Sequence, residues 1–487
     1  MTGEDAKQAR APRRRRAAWA VCAASALFGC SVGPNYVRPT SESPSSYKEA
    51  VPWKQAEPRD QEPRGKWWEI FKDPKLDALA AQVEVSNQTI KGAEARVRQA
   101  RALTQQARAA LFPLVSATAG ATRSGSGGGS TSSNNVGGGV QGGGVRNNYN
   151  VALDVSWEVD LWGRVRRTVE AGEASAQASV ADLESARLSA QAQLAADYFL
   201  LRVQDAQIRL LNDTVDAYQR SLQLTRNQYA VGVAARADVA QAETQLKSTQ
   251  AQAIDAGIQR AQLEHAIAIL LGRAPADFSV AAEVVTTDFP AIPPGLPSEL
   301  LERRPDIAAA ERRTAAANAQ IGVAEAAFFP LLTLSATGGF QSSVLSQLFS
   351  LPSRYWSLGA ALAQTIFDAG LRRAQTAQAI ATYDENVANY RQTVLIGFQE
   401  VEDNLAALRI LEQEAAVQDE AVKAARESLT ITLNQYRAGT ANYLAVVVAQ
   451  ATALANERTA LAILSQRLSA SVALIKALGG GWSAAAL

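Results

Sequence analysis

The sequence predicts a membrane α+β chain in which four amphipathic strands and two long antiparallel helical coils form two internal repeats. Three observations carry this. Leu224–Gly232 and Ile431–Gly439 are near copies at an offset of 207 residues, with Thr225/Thr432, Asn227/Asn434, Gln228/Gln435, Tyr229/Tyr436 and Gly232/Gly439 identical in register. Val151, Leu153, Val155, Trp157 and Val159 alternate with Ala152, Asp154, Ser156, Glu158 and Asp160, the period of a strand with one apolar face and one polar, acidic face. Arg164–Tyr229 and Leu371–Tyr436 each run 66 residues without proline, about 100 Å of helix at the usual rise.

A chain of 487 residues can bury a large core and exceeds a usual single domain. Hydrophobic residues make up 47%, yet no run beyond residue 30 is expected to cross a bilayer as a helix. Residues 1–29 hold Lys7, Arg10 and Arg13 to Arg16 against Glu4 and Asp5, a net +4. The rest of this +1 chain is therefore −3, with no basic surface for nucleic acid. That leader reads as a targeting segment: a positive run, the apolar stretch Ala17 to Phe28, then Leu27-Phe28-Gly29-Cys30. The ending resembles a bacterial lipobox, which makes Cys30 the acylated first residue of the mature chain, although Phe28 is bulkier than usual there. Ser31 is compatible with outer-membrane sorting. An ordinary secretory signal with an incidental cysteine is the alternative. Cys22 lies inside the removed segment, so the mature chain has one cysteine and no internal disulfide.

In chain order, the signal peptide (1–29) precedes an extended arm (30–75) rich in Pro and Trp. Repeat 1 (76–275) opens on a helix from Leu76 to Phe112, stopped by Pro113. A strand at Leu114–Thr122, a flexible Gly/Ser tract at Ser124–Asn148 and the alternating strand follow, before a long helix begins near Arg164. Its residues Ile208, Leu211, Val215, Tyr218, Leu222, Thr225 and Tyr229 step by three and four, a coiled-coil seam. Beyond Gly232 the chain returns helically to Leu271. A Pro-rich linker (276–297) joins repeat 2 (298–480), which has a helix at Ser298–Phe329, strands at Leu332–Phe340 and Trp356–Ala363, and the second long hairpin. Residues 481–487 are a tail. The Phe-Pro junctions at Pro113 and Pro330 are offset by 217 residues, but everything after the second strand is offset by 207. The first repeat therefore has ten extra residues in its Gly-rich loop, as expected of an exposed loop.

Four strands with one lipid-like face cannot close a barrel alone, and open edges are not tolerated in a bilayer. The chain must oligomerise through strand edges: two copies give 8 strands, three give 12 with room for a lumen. Asp154, Glu158 and Asp160 would line that lumen. A soluble β-sandwich with attached helices is the competing reading. It explains neither the Trp157/Val159 face nor the lipobox.

Four stretches, in order, resemble the TolC-like outer membrane factors, in the lipoprotein branch that serves efflux pumps. They are Gly29-Cys30-Ser31-Val32-Gly33-Pro34-Asn35-Tyr36; Trp67-Trp68 with Phe71-Lys72-Asp73-Pro74-Lys75-Leu76; Leu296 to Ile307 with Arg303-Arg304-Pro305-Asp306; and the two Gln-Tyr-x-x-Gly tips. The resemblance spans nearly the whole mature chain. It implies a trimer with a 12-stranded barrel and an α-helical periplasmic tunnel, partnered by an inner-membrane pump of the RND type and a periplasmic adaptor. The adaptor would dock at Gly232, Val233, Gly439 and Thr440. The gate would lie at Tyr229, Asp238, Tyr436, Ala445 and Val448, with Tyr436 as the gate tyrosine and Asp238 as a tie-forming carboxylate. Family members often carry acids where this chain has Ala445 and Val448, and sometimes an arginine at Ala441. The gate therefore reads as apolar, with Arg236 and Arg437 as replacement partners for Asp238. Each residue also has a plainer reading: both tyrosines as seam packing, Asp238 as a first-turn acid favoured by the helix dipole, Arg303, Arg304 and Asp306 as ion pairs fixing a helix start, and Gly163 and Gly370 as strand-to-helix bends.

No enzyme is expected. The one histidine, His265, sits beside Ala and Ile on a return helix, and there is no metal-spaced His/Cys cluster, nucleophile elbow or phosphate loop. Apart from lipid on Cys30 no cofactor or metal is expected. The leading expectation is a passive exit duct for small molecules, in a lipid-anchored outer-membrane protein reaching into the periplasm. The alternatives are a conduit for type I protein secretion and a non-conducting coiled-coil envelope lipoprotein.

Overall fold

In the computed structural model, residues 31–41, 44, 46–50, 66–125, 145–283 and 303–481 are described. The leader, Cys30, the Gly-rich loop at 126–144, most of the linker, Leu296 to Glu302 and the tail beyond Gly481 lie outside them. The elements are α1 (Pro74–Ser86), α2 (Gln88–Ala109), β1 (Leu114–Gly125), β2 (Val145–Val159), α3 (Arg164–Ala230), α4 (Arg236–Leu270), α5 (Pro305–Ala326), β3 (Leu331–Ser342), β4 (Arg354–Ala363), α6 (Leu371–Arg437) and α7 (Tyr443–Ala477). Helix α5 has proline in its first turn, where its missing N–H costs nothing, and residues 298–302 of the helix expected from Ser298 lie outside those described. The expected single helix from Leu76 to Phe112 is two. Asn87 breaks it: its side chain accepts from Thr89 N and Ile90 N to start α2, and its Nδ2 donates to Leu270 O at 2.8 Å.

The chain divides into two compact units, one of residues 1–38, 99–176 and 313–387, the other of 39–98, 177–312 and 388–487. The first holds an antiparallel sheet in the order β1-β2-β3-β4. Directly paired residues share a face, so the register sorts the side chains. One face carries the row Ser116, Asp154, Thr337, Ser357; the other carries Val115, Val155, Ala336, Leu358 and Ala117, Leu153, Gly338, Trp356. The apolar face is bare, with Trp356 at 74% and Leu358 at 75% exposure. Among the described residues the outer edges of β1 and β4 have no ladder partner. Both expected β1–β2 strands run further into the Gly/Ser tract, to Gly125 and from Val145.

A buried arginine ties the arm to this unit. Arg167 donates to Val32 O, Gly33 O and Asn35 Oδ1 at 3.1–3.2 Å and to Glu170, while Asn318 Nδ2 donates to Pro34 O. A side chain at Gly33 would put its Cβ 2.4 Å from the Gly322 backbone. This accounts for the Ser-Val-Gly-Pro-Asn stretch as a fitted strap rather than a loose leader.

The second unit holds the main core. Trp67, Trp68 and Phe71, on a short turn of the arm, are buried with Leu76, Leu194, Tyr198, Phe199, Val401 and Leu474, and Trp67 Nε1 donates to Gln191 Oε1. Arg304, buried, pairs with Asp306 at 2.7 Å and Glu400 at 2.6 Å, the ion pairs expected at that helix start. Helix α7 corrects one expectation: at a mean hydropathy of 1.3 it is long and apolar enough to cross a membrane by composition. Here it buries Val446, Leu454, Leu468, Leu474 and other residues within this unit, which explains its apolar character. Arg167→Ala is expected to free the strap at residues 31–35 to proteases while Arg167→Lys restores it poorly, since an ammonium cannot span three acceptors as a planar fork does. Protease accessibility of the strap at constant helix content checks this.

Candidate functional site at the hairpin tips

The tip motif has a mechanical meaning. At the end of α3, Val233 N donates to Gln228 O and Gly232 N to Tyr229 O; at the end of α6, Thr440 N donates to Gln435 O and Gly439 N to Tyr436 O. Both are the paired six-to-one and five-to-two closures of a Schellman stop, with glycine at φ +79° and +75°. The Gln and Tyr of Gln-Tyr-x-x-Gly are thus the residues whose carbonyls the reversal must satisfy. Val233 and Thr440 sit just past it, and all four tip residues are exposed.

The two return helices start differently. Asp238, in the first turn of α4, accepts from Ala235 N at 3.0 Å. At the matching place in α7, Asn442 accepts from Ala445 N at 3.0 Å. The carboxylate absent at Ala445 is replaced as a cap by Asn442, three residues earlier. Among the described residues Asp238 makes no ion pair, and Arg437 reaches Asn434 Oδ1 instead. Within this chain the contact of Asp238 is thus a local cap on its own α4.

The tyrosines diverge despite their identical setting. Tyr436 is buried with Tyr218, Leu222, Val239, Leu246, Tyr443 and Val446; its hydroxyl donates to Thr225 Oγ1 at 3.2 Å and its ring lies 5.3 Å from that of Tyr443. Gln228 Nε2 donates to Tyr436 O at 3.4 Å. Tyr229 is 46% exposed. Burial pushes the Tyr218, Tyr436 and Tyr443 hydroxyls above the ordinary tyrosine range, so all three stay neutral donors at physiological pH. Val448 is exposed and Ala445 half-buried, on an apolar surface with Leu444.

The three acidic residues assigned to the sheet part company. Asp154 lies on the polar face and accepts from Thr118 Oγ1 at 2.9 Å and Thr337 Oγ1 at 2.8 Å. Glu158, on the same face, is paired with Arg164. Asp160 falls beyond the end of β2 and accepts from Val165 N and Arg166 N, capping α3. Sequence reasoning missed Arg164, Arg166 and Arg167; the six-residue step from Glu158 to Arg164 and from Asp160 to Arg166, and the three-residue step from Arg167 to Glu170, were the available signal. Among the described residues no cluster could hold a metal ion.

Comparison with known proteins gives this geometry a family. The family described as outer membrane efflux protein matches residues 79–273 and again 296–480. The chain belongs to the outer membrane efflux proteins. This is a family of conduits, not enzymes. A toluene efflux pump outer membrane protein of Pseudomonas putida, TtgF, is 32% identical over 466 residues, covering 94% of this chain and 95% of that protein. The pyoverdine export outer membrane protein OpmQ of Pseudomonas aeruginosa is 32% identical over 421 residues, covering 85% and 87%. Among solved structures, the outer-membrane channel OprN superposes with a TM-score of 0.84 at 31% identity, over 93% of this chain and all of that one. The open state of the Neisseria gonorrhoeae channel MtrE gives 0.79 at 29%, over 93% and 99%.

Two outcomes are expected at the tips. A double-mutant cycle of Tyr436→Phe and Thr225→Val should show a coupling of about 1 kcal/mol in chemical denaturation, the worth of one hydrogen bond. Stability should also fall as pH rises past about 10, because the unfolded chain releases the tyrosine protons first; Tyr436→Phe should reduce that slope.

Proposed function

We propose that this chain is the outer-membrane duct of a tripartite efflux pump, a passive exit for small molecules handed over by an inner-membrane pump and a periplasmic adaptor. One observation carries it: a four-stranded sheet with a bare apolar face, a hydroxyl and carboxylate face, and two unpaired edges, in a chain of this family. Three copies supply 12 strands, enough to enclose a lumen. Strands of 12, 15, 12 and 10 residues meet or exceed the roughly 9–11 needed to cross the hydrocarbon. Asp154 then faces water, while Trp356 and Leu358 face lipid.

The hairpin tips are the periplasmic gate and the adaptor's docking point. Gly232, Val233, Gly439 and Thr440 form the exposed reversals an adaptor would grip, and Tyr229, Tyr436, Ala445 and Val448 surround the closure. Asp238 holds the first hairpin in shape. Cys30 carries the lipid: Val32, two residues on, is hydrogen-bonded to Trp162 O at 3.0 Å, beside the end of β2, where an acyl chain would enter the bilayer.

The purified mature protein is expected to run as a trimer in detergent and to form channels in planar bilayers; a water-soluble, non-conducting monomer would overturn the proposal. Deleting the gene should sensitise cells to the pump's substrates. Cys30→Ser should abolish palmitate labelling yet leave channel formation intact. Asp238→Ala should raise closed-state conductance through fraying at the start of α4, an effect of about 1 kcal/mol, read as more frequent brief openings.

A further inference from the structure

Within one chain the two hairpins meet at the tips through a contact that has an image elsewhere in the sequence. Tyr436, on α6, enters a socket on α3 and α4, where its hydroxyl meets Thr225 and its carbonyl receives Gln228. A shift by the 207-residue repeat turns Thr225 into Thr432, Gln228 into Gln435 and the incoming Tyr436 into Tyr229. The image of the socket is present: an open groove of about 440 Å3 on α6 and α7, lined in part by Ala425, Ser428, Thr432, Ala445, Val448 and Ala449. The image of the plug is present too, as Tyr229, the tip tyrosine that stays 46% exposed, and Gln435 is likewise exposed.

We infer that this groove receives Tyr229 of the next copy, its hydroxyl donating to Thr432 Oγ1 and its carbonyl accepting from Gln435 Nε2. The inference rests on the trimer proposed above and names its tip junction. The step from α3/α4 to α6/α7 is head-to-tail; repeating it from α6/α7 requires another α3/α4, which only a second chain supplies, and such contacts close into rings. The departures from exact repetition agree with each other. In the intrachain junction Tyr218 and Tyr443 are buried in one cluster; their images are Ala425 and Arg236. The wall shrinks where the longer, charged side chain arrives. One buried tyrosine replaces three, so the intersubunit junction is the weaker of the two.

Photo-crosslinking tests this. With p-benzoylphenylalanine in place of Tyr229, irradiation of the detergent-purified full chain should yield covalent dimers and trimers on denaturing gels, with the adduct mapped to residues 425–449. The same probe in place of Tyr436 should leave monomers with an internal adduct near Thr225. If the first replacement disturbs folding, the probe in place of Ser428 should capture residues 225–236 of the neighbour. Native mass measured on the same samples separates the two proposals. Absence of a trimer removes the duct and the junction together. An intact trimer in which the probe at 229 reacts only within its own chain, or outside the groove, overturns the junction alone.

Discussion

Backbone groups on a strand edge need partners, and in hydrocarbon they have no water to turn to. The edges of β1 and β4, free among the described residues, therefore set the terms for the molecule. In the proposed duct identical chains would join edge to edge there, and the apolar face of Val115, Val155, Leu358 and Trp356 would meet lipid. The same closure would enclose the polar row of Ser116, Asp154, Thr337 and Ser357. Asp154 already spends both oxygens on neighbouring threonines, so the row is a hydrogen-bonded lining as much as a charged one.

The strap and the caps show how the strand-to-helix junction is fixed. Asp160 starts α3, Glu158 holds Arg164, and Arg167 clasps the arm through backbone oxygens. Charges that a sequence shows as an acidic cluster followed by a basic one are here a closed set of contacts. A charge-assisted bond to a helix N-terminus is worth more than exposure to solvent, which is why Asp160 turns away from the strand it follows.

Much of the fold was legible in the residues. Period-2 alternation placed β2, the uninterrupted runs placed α3 and α6 to within a residue, and the glycines of the tips marked both reversals. What periodicity could not supply was which of two equal sites meets its own chain. Tyr229 and Tyr436 share their neighbours in sequence, yet one is exposed and the other buried, because the difference lies in a tertiary step between hairpins. The same holds for Asp238: its spacing alone does not reveal that the Ala235 N–H is in reach of its carboxylate. The break at Asn87 was hidden because asparagine is tolerated inside a helical pattern; its partner, the Leu270 carbonyl, lies 183 residues away.

Helices α3 and α6 have the same length, 67 residues each, and α4 and α7 have 35 each. Adding one residue to an α-helix turns everything beyond it by about 100° and lifts it by about 1.5 Å. A lone insertion in one long helix would thus throw its reversal out of level with its sibling and rotate the wrong side chains inward. The difference in length between the two halves falls instead between the paired strands, at residues 126–144 and 343–353, and any change in reach would have to be made twice, in matching amounts.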